Sequence, residues 1–484
     1  MKKYLTSSFY YLAIGFLPLA SNFLLTPFFT RYLYPEEYGI LALAALFQAY
    51  LTIFLSVGID SAFSRLFYKF YRKPRLLNAF FSTVLCCIAA ISAFYSLIFW
   101  FAGNSIIDFV FSNSEFTFSK YGNIVLATTI VSLLHSVALS YYRNLENIKG
   151  FAVLAVSFFV LMTIGAVIGV MVLELGAWGS LAGKLAGSVV VVMAFLVYFF
   201  TRHKVTFKAK FLPPVFKFGL PIIPYLLLGI TLDNLDRFLI ERYLSLSELG
   251  KYNIAFLIAS VTAVVLQSVT SAVNPSVFRL MESRKPENRN QTDKEINLLF
   301  TGLNLFILVF IALLTMLAQP LAMFLIDQKY HSMLQYLPLL FLAYIPRVFF
   351  VIYSIPLFFY NKTKLLPLIN VIALVIGGLI MYGFLSAIGI FGICLGVIAV
   401  KFLQTIAAVY FLKKERYFEP ALFKLQKNIV LSVVLAAGIF AAVWASLYFP
   451  DKRAHLYFVA GAAGIATIAI FYLPEIKQLK SKFF

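Results

Sequence analysis

Residues 31–39 read Arg31-Tyr32-Leu33-Tyr34-Pro35-Glu36-Glu37-Tyr38-Gly39, and residues 242–250 read Arg242-Tyr243-Leu244-Ser245-Leu246-Ser247-Glu248-Leu249-Gly250. The Arg-Tyr-Leu triplet, the Glu and the Gly recur at a single offset of 211 residues. A second echo falls late in each half, where Gly176, Trp178, Gly179 and Gly183 are answered by Gly389, Phe391, Gly392 and Gly396 at an offset of 213. Two echoes at nearly one offset mark a duplicated unit of about 210 residues. In an apolar chain such a repeat points to a carrier whose halves enclose a substrate site and expose it alternately.

The chain is apolar enough for that reading. Of its 484 residues 62% are hydrophobic, 17% aromatic and only 12% charged, more apolar surface than a soluble fold can hide. A helix crossing the hydrocarbon needs roughly 20 apolar residues. Fourteen such stretches are predicted, at 8–30, 38–63, 77–102, 120–142, 150–172, 177–201, 213–234, 248–273, 296–318, 333–358, 365–386, 388–412, 425–448 and 454–474. The predicted fold is therefore an all-α integral membrane protein: two pseudo-symmetric six-helix lobes, residues 1–210 and 211–412, and an addition of two helices and a tail, 413–484.

A net charge of +20 raises nucleic acid as a partner, but the placement of the cations gives a topological answer. With these spans about 29 of the 40 Lys and Arg fall on the side of the amino terminus and about 8 on the other. The positive-inside rule then places both termini in the cytoplasm. Lys2, Lys3, the run Arg65 to Arg75, the cluster Arg202 to Lys210 and the tail Lys477, Lys480 and Lys482 all agree. Residues 1–30 have no small-residue cleavage site after a short apolar core, so they read as the first span and not as a signal peptide. The connections are short, the longest being a cytoplasmic linker over 274–295.

Chemistry is defined chiefly by what is missing. There is no phosphate-cradling glycine loop followed by Lys and Ser or Thr, which argues against ATP hydrolysis by this chain. His135, His203, His331 and His455 lack zinc spacing, so no metal is expected. Cys86, Cys87 and Cys394 lie in apolar spans and read as packing residues. Glu36 and Glu37 fall at a helix start, where acids are favoured by the dipole, and read as capping residues.

Several stretches resemble one family. Pro35-Glu36-Glu37-Tyr38-Gly39, the helix end Val57-Gly58-Ile59-Asp60 and Ser64-Arg65 are similar to the amino-terminal part of bacterial polysaccharide flippases of the Wzx type. These belong to the multidrug/oligosaccharidyl-lipid/polysaccharide exporter superfamily. Phe218-Gly219-Leu220-Pro221, Asp233 to Phe238, Glu248 to Tyr252, Asn361 to Lys364 with Asn370, and Gly389 to Gly396 extend the likeness. The resemblance implies fourteen helices in two lobes and a cavity open to one leaflet at a time. It implies a cargo of polyprenyl-diphosphate-linked oligosaccharide, moved across the bacterial inner membrane for O-antigen, capsule or exopolysaccharide synthesis, with a polymerase and glycosyltransferases of the same pathway as partners. No covalent bond changes in such a step, so the chain reads as a transporter and not an enzyme, and no cofactor is expected.

An anionic diphosphate crosses hydrocarbon only through a polar, cationic cavity. Three cations fall inside spans: Lys184, Arg347 and Lys401. Arg347 is too deep to snorkel, whereas Lys401 lies about 12 Å from the cytoplasmic end of its helix. Lys184 sits in the small-residue stretch Gly179 to Gly187, which also suits close helix packing. In the family, spans 1, 2, 7 and 8 line the portal, so Arg31, Arg65 and Arg237 are further cargo candidates. Asp60, Asp233 and Asp236 are candidates for ion coupling. Asp233 and Asp236 are three apart and are expected to share a helix face, with Arg237 beside them for an ion pair. Pro18, Pro27, Pro221 and Pro224 mark expected kinks, the last two at the opening of span 7.

Two alternatives compete. A cation-coupled drug antiporter of the same superfamily would prefer acidic groups in its cavity, against the cations found here. A membrane polysaccharide polymerase or ligase would need a large outer loop with catalytic groups, whereas the outer connections at 103–119 and 319–332 are short.

Overall fold

The computed structural model describes residues 17–112, 115–417 and 419–483. Lys2, Lys3 and the start of the first span lie outside them, as do the side chains of Pro18, Lys477, Lys480 and Lys482. The described backbone is helical throughout its ordered elements and contains no strand. It comprises α1 (Leu17–Tyr32), α2 (Pro35–Ser56), α3 (Ile59–Phe70), α4 (Pro74–Val110), α5 (Asn123–Asn144), α6 (Ile148–Val167), α7 (Gly176–Arg202), α8 (Leu212–Gly219), α9 (Ile223–Asp233) and α10 (Leu235–Tyr243). There follow α11 (Leu246–Glu282), α12 (Arg289–Leu325), α13 (Leu337–Leu342), α14 (Tyr344–Phe359), α15 (Leu365–Lys414), α16 (Gln426–Tyr448) and α17 (Arg453–Phe483). Two compact units divide the chain, residues 1–250 and 251–484.

Among the described residues twelve helices are long and apolar enough to span a membrane. One of them, α15, has 50 residues, about 75 Å at the helical rise and more than twice the thickness of a hydrocarbon core. It is two spans in tandem. Ile388 (φ −138°) and Gly389 (φ 60°) break the helical backbone between them, at the boundary expected between 386 and 388. With α1 the structure therefore accommodates fourteen crossings.

Four expectations need correction. The span 38–63 is two helices: Val57 (φ 47°) and Gly58 (φ 68°) are both left-handed and end α2. A side chain at Gly58 would collide with the backbone of Gly219, so that turn is open only to glycine. The linker expected over 274–295 shrinks to residues 283–288, because α11 and α12 each continue for 37 residues, roughly 55 Å. Pro221 does not open span 7 but interrupts it, with a 3-10 turn over Leu220–Ile222 between α8 and α9. The segments 103–119 and 319–332, expected to be outer connections, begin as helix, α4 running on to Val110 and α12 to Leu325.

The repeat is visible in the backbone. Gly176 and Gly389, equivalent in the second echo, both adopt positive φ, 58° and 60°. Within the first unit, a Cβ at Gly39 would strike the carbonyl oxygen of Leu246, and one at Gly250 would strike that of Pro35. The 211-residue offset carries Gly39 onto Gly250 and Pro35 onto Leu246 and so maps one contact onto the other, which makes the contact reciprocal in the manner of a twofold interface. Glu37 joins the echoes further, accepting from its own helix start at Tyr34 N (2.9 Å) and from Ala177 N (3.1 Å) at the start of α7. The capping role expected of the acidic pair thus falls to Glu37.

Candidate functional site: a polar cavity in the first unit

The first unit contains a cavity of about 900 Å³ bounded by α1, α2, α3, α5, α6 and α7. Its position follows from local packing. Helix α6, with the wider helical turn Ile168–Val172 that continues it, approaches α7 so closely that a Cβ at Gly165, Gly169 or Gly187 would overlap the carbonyl oxygen of Gly183, Gly179 or Leu161. The stretch Gly179 to Gly187 therefore packs helices, as its composition implied. The packing also turns Lys184, next to Gly183, into the cavity, where it is half-buried. No described side chain hydrogen-bonds to it or forms an ion pair with it.

Asp60 lines the same cavity from the first turn of α3. The left-handed break at Val57-Gly58 sets it there. Its Oδ1 is buried without a hydrogen-bond partner among the described residues, a costly state for a carboxylate oxygen. Arg143, at the end of α5, completes the charged set and donates to Ser140 Oγ at 3.2 Å. His135 is buried in the wall, stacked on Phe158 with ring centroids 3.7 Å apart. Gln48, Ser61, Ser64 and Thr128 add neutral donors and acceptors. By its chemistry such a lining can accommodate an anionic group near Lys184 and Arg143, with Asp60 able to accept a cation, a proton or hydroxyls.

The sequence did not single out Arg143 or His135 as site residues. Arg143 falls just after the predicted span 120–142, and nothing local reveals that it shares a cavity with a residue 83 positions earlier. The other candidates lie elsewhere. Arg31 is exposed at the end of α1 and Arg65 is exposed on α3 with its guanidinium 4.6 Å from the Phe218 ring centroid; neither lines the cavity. Asp233 and Asp236 do not share a helix face: α9 ends at Asp233, Asn234 (φ −125°, ψ 12°) breaks the backbone, and α10 begins at Leu235. Asp233 is exposed and Asp236 buried. Asp236 accepts from the Arg237 backbone N–H (2.9 Å), and Arg237 Nη1 donates to Asn234 Oδ1 (2.7 Å).

The second unit carries the other two intramembrane cations. Arg347 lies half-buried on α14, 6.0 Å from the Tyr344 ring centroid. Lys401 is buried on α15. The two helices are held in register at this level by the Thr405 hydroxyl, which lies 2.8 Å from Pro346 O and 3.0 Å from Lys401 O. Gln404, one turn away, donates to Asn370 Oδ1 at 3.0 Å. No described carboxylate forms an ion pair with Arg347. Cys87 and Cys394 are buried, Cys86 is half-buried, and none of the three is in a disulfide. No cluster of three metal-ligating side chains occurs among the described residues.

Comparison with known proteins adds the following. The chain is 27% identical over 272 residues to Lsg locus putative protein 1 of Haemophilus influenzae, a match that covers 54% of this chain and 63% of that protein. Among solved structures, the lipid II flippase MurJ in an inward closed conformation superposes with a TM-score of 0.69 at 16% identity, covering 98% of this chain and all of MurJ. An inward-facing multidrug resistance MATE transporter of the MOP superfamily gives 0.66 at 16% identity, over 85% of this chain and 96% of the transporter. Those likenesses establish the fold, a helical membrane architecture shared by transporters and flippases. A family match over residues 28–335, well over half of the chain and all of the lined cavity but Leu25, goes further: the protein belongs to the polysaccharide biosynthesis protein family.

Proposed function

We propose that this chain flips a polyprenyl-diphosphate-linked oligosaccharide repeat unit from the cytoplasmic to the outer leaflet of the plasma membrane, by alternating access, for cell-surface polysaccharide synthesis. Lys184 carries the reading. A cation in a membrane-spanning helix, turned into a cavity without a carboxylate partner, has a desolvation cost that a visiting anion offsets. The diphosphate is that anion. The polar lining around Lys184 suits the first sugars, while the polyprenyl tail stays in lipid. Arg347 and Lys401 serve the cargo from the second unit, and Arg31, Arg65 and Arg237 act at entry or exit.

In this scheme the repeat-related lobes, 1–210 and 211–412, rock against each other and both termini remain cytoplasmic. A polymerase and glycosyltransferases of the same pathway are the expected partners. Asp60 is the coupling carboxylate, because its buried, unpartnered Oδ1 provides a site for a cation or proton; Asp233 and Asp236 are secondary in that role. Asp60 also favours the second reading, a cation-coupled antiporter, but Lys184 and Arg143 in the same cavity weigh toward an anionic cargo.

A leaflet-resolved assay of the lipid-linked oligosaccharide in cells lacking this chain tests the proposal. Accumulation on the cytoplasmic face, cured by the wild type and not by Arg347→Ala, is the expected result. Normal appearance on the outer face would refute flipping and favour the antiporter. Outer-face accumulation of unpolymerised units would point to a polymerase or ligase.

A further inference from the structure

A second, smaller pocket lies at the basic end of the spans in the first unit. It has a volume of about 270 Å³ and is built by α3, α4 and the turn leading into α8. Three rings form its apolar floor. Phe70, Phe80 and Phe211 contact one another with centroids 5.2, 5.1 and 5.5 Å apart. Lys69 and Lys210, both exposed, stand at its rim. The wall is fixed to the helix beneath it. Ser82 Oγ accepts from Thr206 N (3.0 Å) and Thr83 Oγ1 accepts from Lys208 N (3.1 Å), tying the connecting segment to α4.

The charge around this pocket is one-sided. Residues 61–107 and 175–232, which supply every lining residue, contain no Asp or Glu. They place five cations between Arg65 and Arg75 and five between Arg202 and Lys217. None of these ten forms an ion pair among the described residues. A positive-inside bias explains why cations lie at this end. It does not explain an aromatic-floored pocket with lysines at its mouth and no carboxylate in its lining.

We propose that this pocket seats an anionic glycerophospholipid, with its phosphate between Lys69 and Lys210 and the glycerol and upper acyl chain against Phe70, Phe80 and Phe211. Basic pockets between membrane helices hold acidic lipid headgroups by this combination of charge and apolar contact. The volume suits one phosphodiester with the start of a chain and leaves no room for a diphosphate bearing sugars. The site is thus separate from the cargo path and independent of it.

Native mass spectrometry tests the assignment, using the full chain extracted from nanodiscs of phosphatidylcholine mixed with phosphatidylglycerol. Wild type should retain phosphatidylglycerol in preference to phosphatidylcholine. Lys69→Gln with Lys210→Gln should lower that preference by about fivefold per lysine. Lys69→Arg with Lys210→Arg should preserve it, as should a control at the exposed pair Lys413→Gln with Lys414→Gln. Both target lysines are exposed, and the arginine variant provides the same test with charge retained. Unchanged retention in the glutamine variant would overturn the proposal, and so would an equal fall in the control. Competition by lipid-free glycerophosphoglycerol as strong as by the intact lipid would also overturn it, because the apolar floor would then contribute nothing.

Discussion

Cations in two regions of the molecule are treated in opposite ways. At the water-facing edge of the second unit, Arg284 in the α11–α12 connection reaches Asp293 (2.6 Å) and Glu419 (2.5 Å), Arg289 reaches Glu419 (2.5 Å), and Lys362 reaches Glu415 (2.8 Å). In the cavity of the first unit, Lys184 has no such partner although Asp60 lines the same space. A cation close to its carboxylate joins one segment of chain to another. One left unpaired in hydrocarbon contributes nothing to the fold that an apolar residue would not do better. The paired group is therefore architecture, and the unpaired group is the one to examine for cargo.

The largest effect should come from the unpaired cation. Lys184→Gln is expected to slow flipping roughly 10- to 100-fold, the loss of one charge-assisted contact of about 1.5–3 kcal/mol, with melting temperature unchanged. A parallel fall in melting temperature would move Lys184 to the structural side of the comparison. Next come the glycines that position it. Gly169→Leu should destabilise the α6–α7 pair by roughly 1–3 kcal/mol through overpacking. Gly229→Ala, where an added Cβ meets nothing within 4 Å, serves as its silent control in a thermal melt.

The paired cluster should respond as structure does. Arg284→Ala is expected to cost about 1–3 kcal/mol of stability, because the side chain is largely buried between two carboxylates, with flipping reduced only as far as folded protein is lost. Its pH dependence has a definite sign. The hydrogen bond from Arg284 holds the Glu419 carboxyl below its ordinary 4.5, so the stabilisation is complete above that pH and is lost as pH falls through the depressed value. Melting curves of wild type and Glu419→Gln should diverge near neutrality and converge in acid. Smallest of all is Lys362→Ala: Glu415 raises the proton affinity of this lysine, but the pair is solvent-exposed and its removal should leave the melting temperature within error.

Much of the fold was legible because membrane helices announce themselves by length and composition. The repeat went further, since Gly176 and Gly389 share a positive φ at positions that a 213-residue echo in the sequence relates. Local breaks were harder to read. Val57 has a side chain that disfavours positive φ, so nothing in the sequence says that the helix ends there and restarts with Asp60 facing a cavity. The lining of the candidate cavity was legible only in part: Lys184 stood out as a cation among glycines, whereas Arg143 and His135 join it only through the packing of α5 against α3 and α7. Asp233 and Asp236 failed as a facing pair because the helix that was to carry both breaks at Asn234.

The most direct test of the central claim is flipping of the lipid-linked oligosaccharide in proteoliposomes containing wild type, Lys184→Gln or Lys184→Arg, at matched amounts of folded protein. A visiting diphosphate at Lys184 predicts loss in the glutamine variant and retained transport in the arginine variant. Equal flipping by all three would contradict it and leave Lys184 as a packing residue.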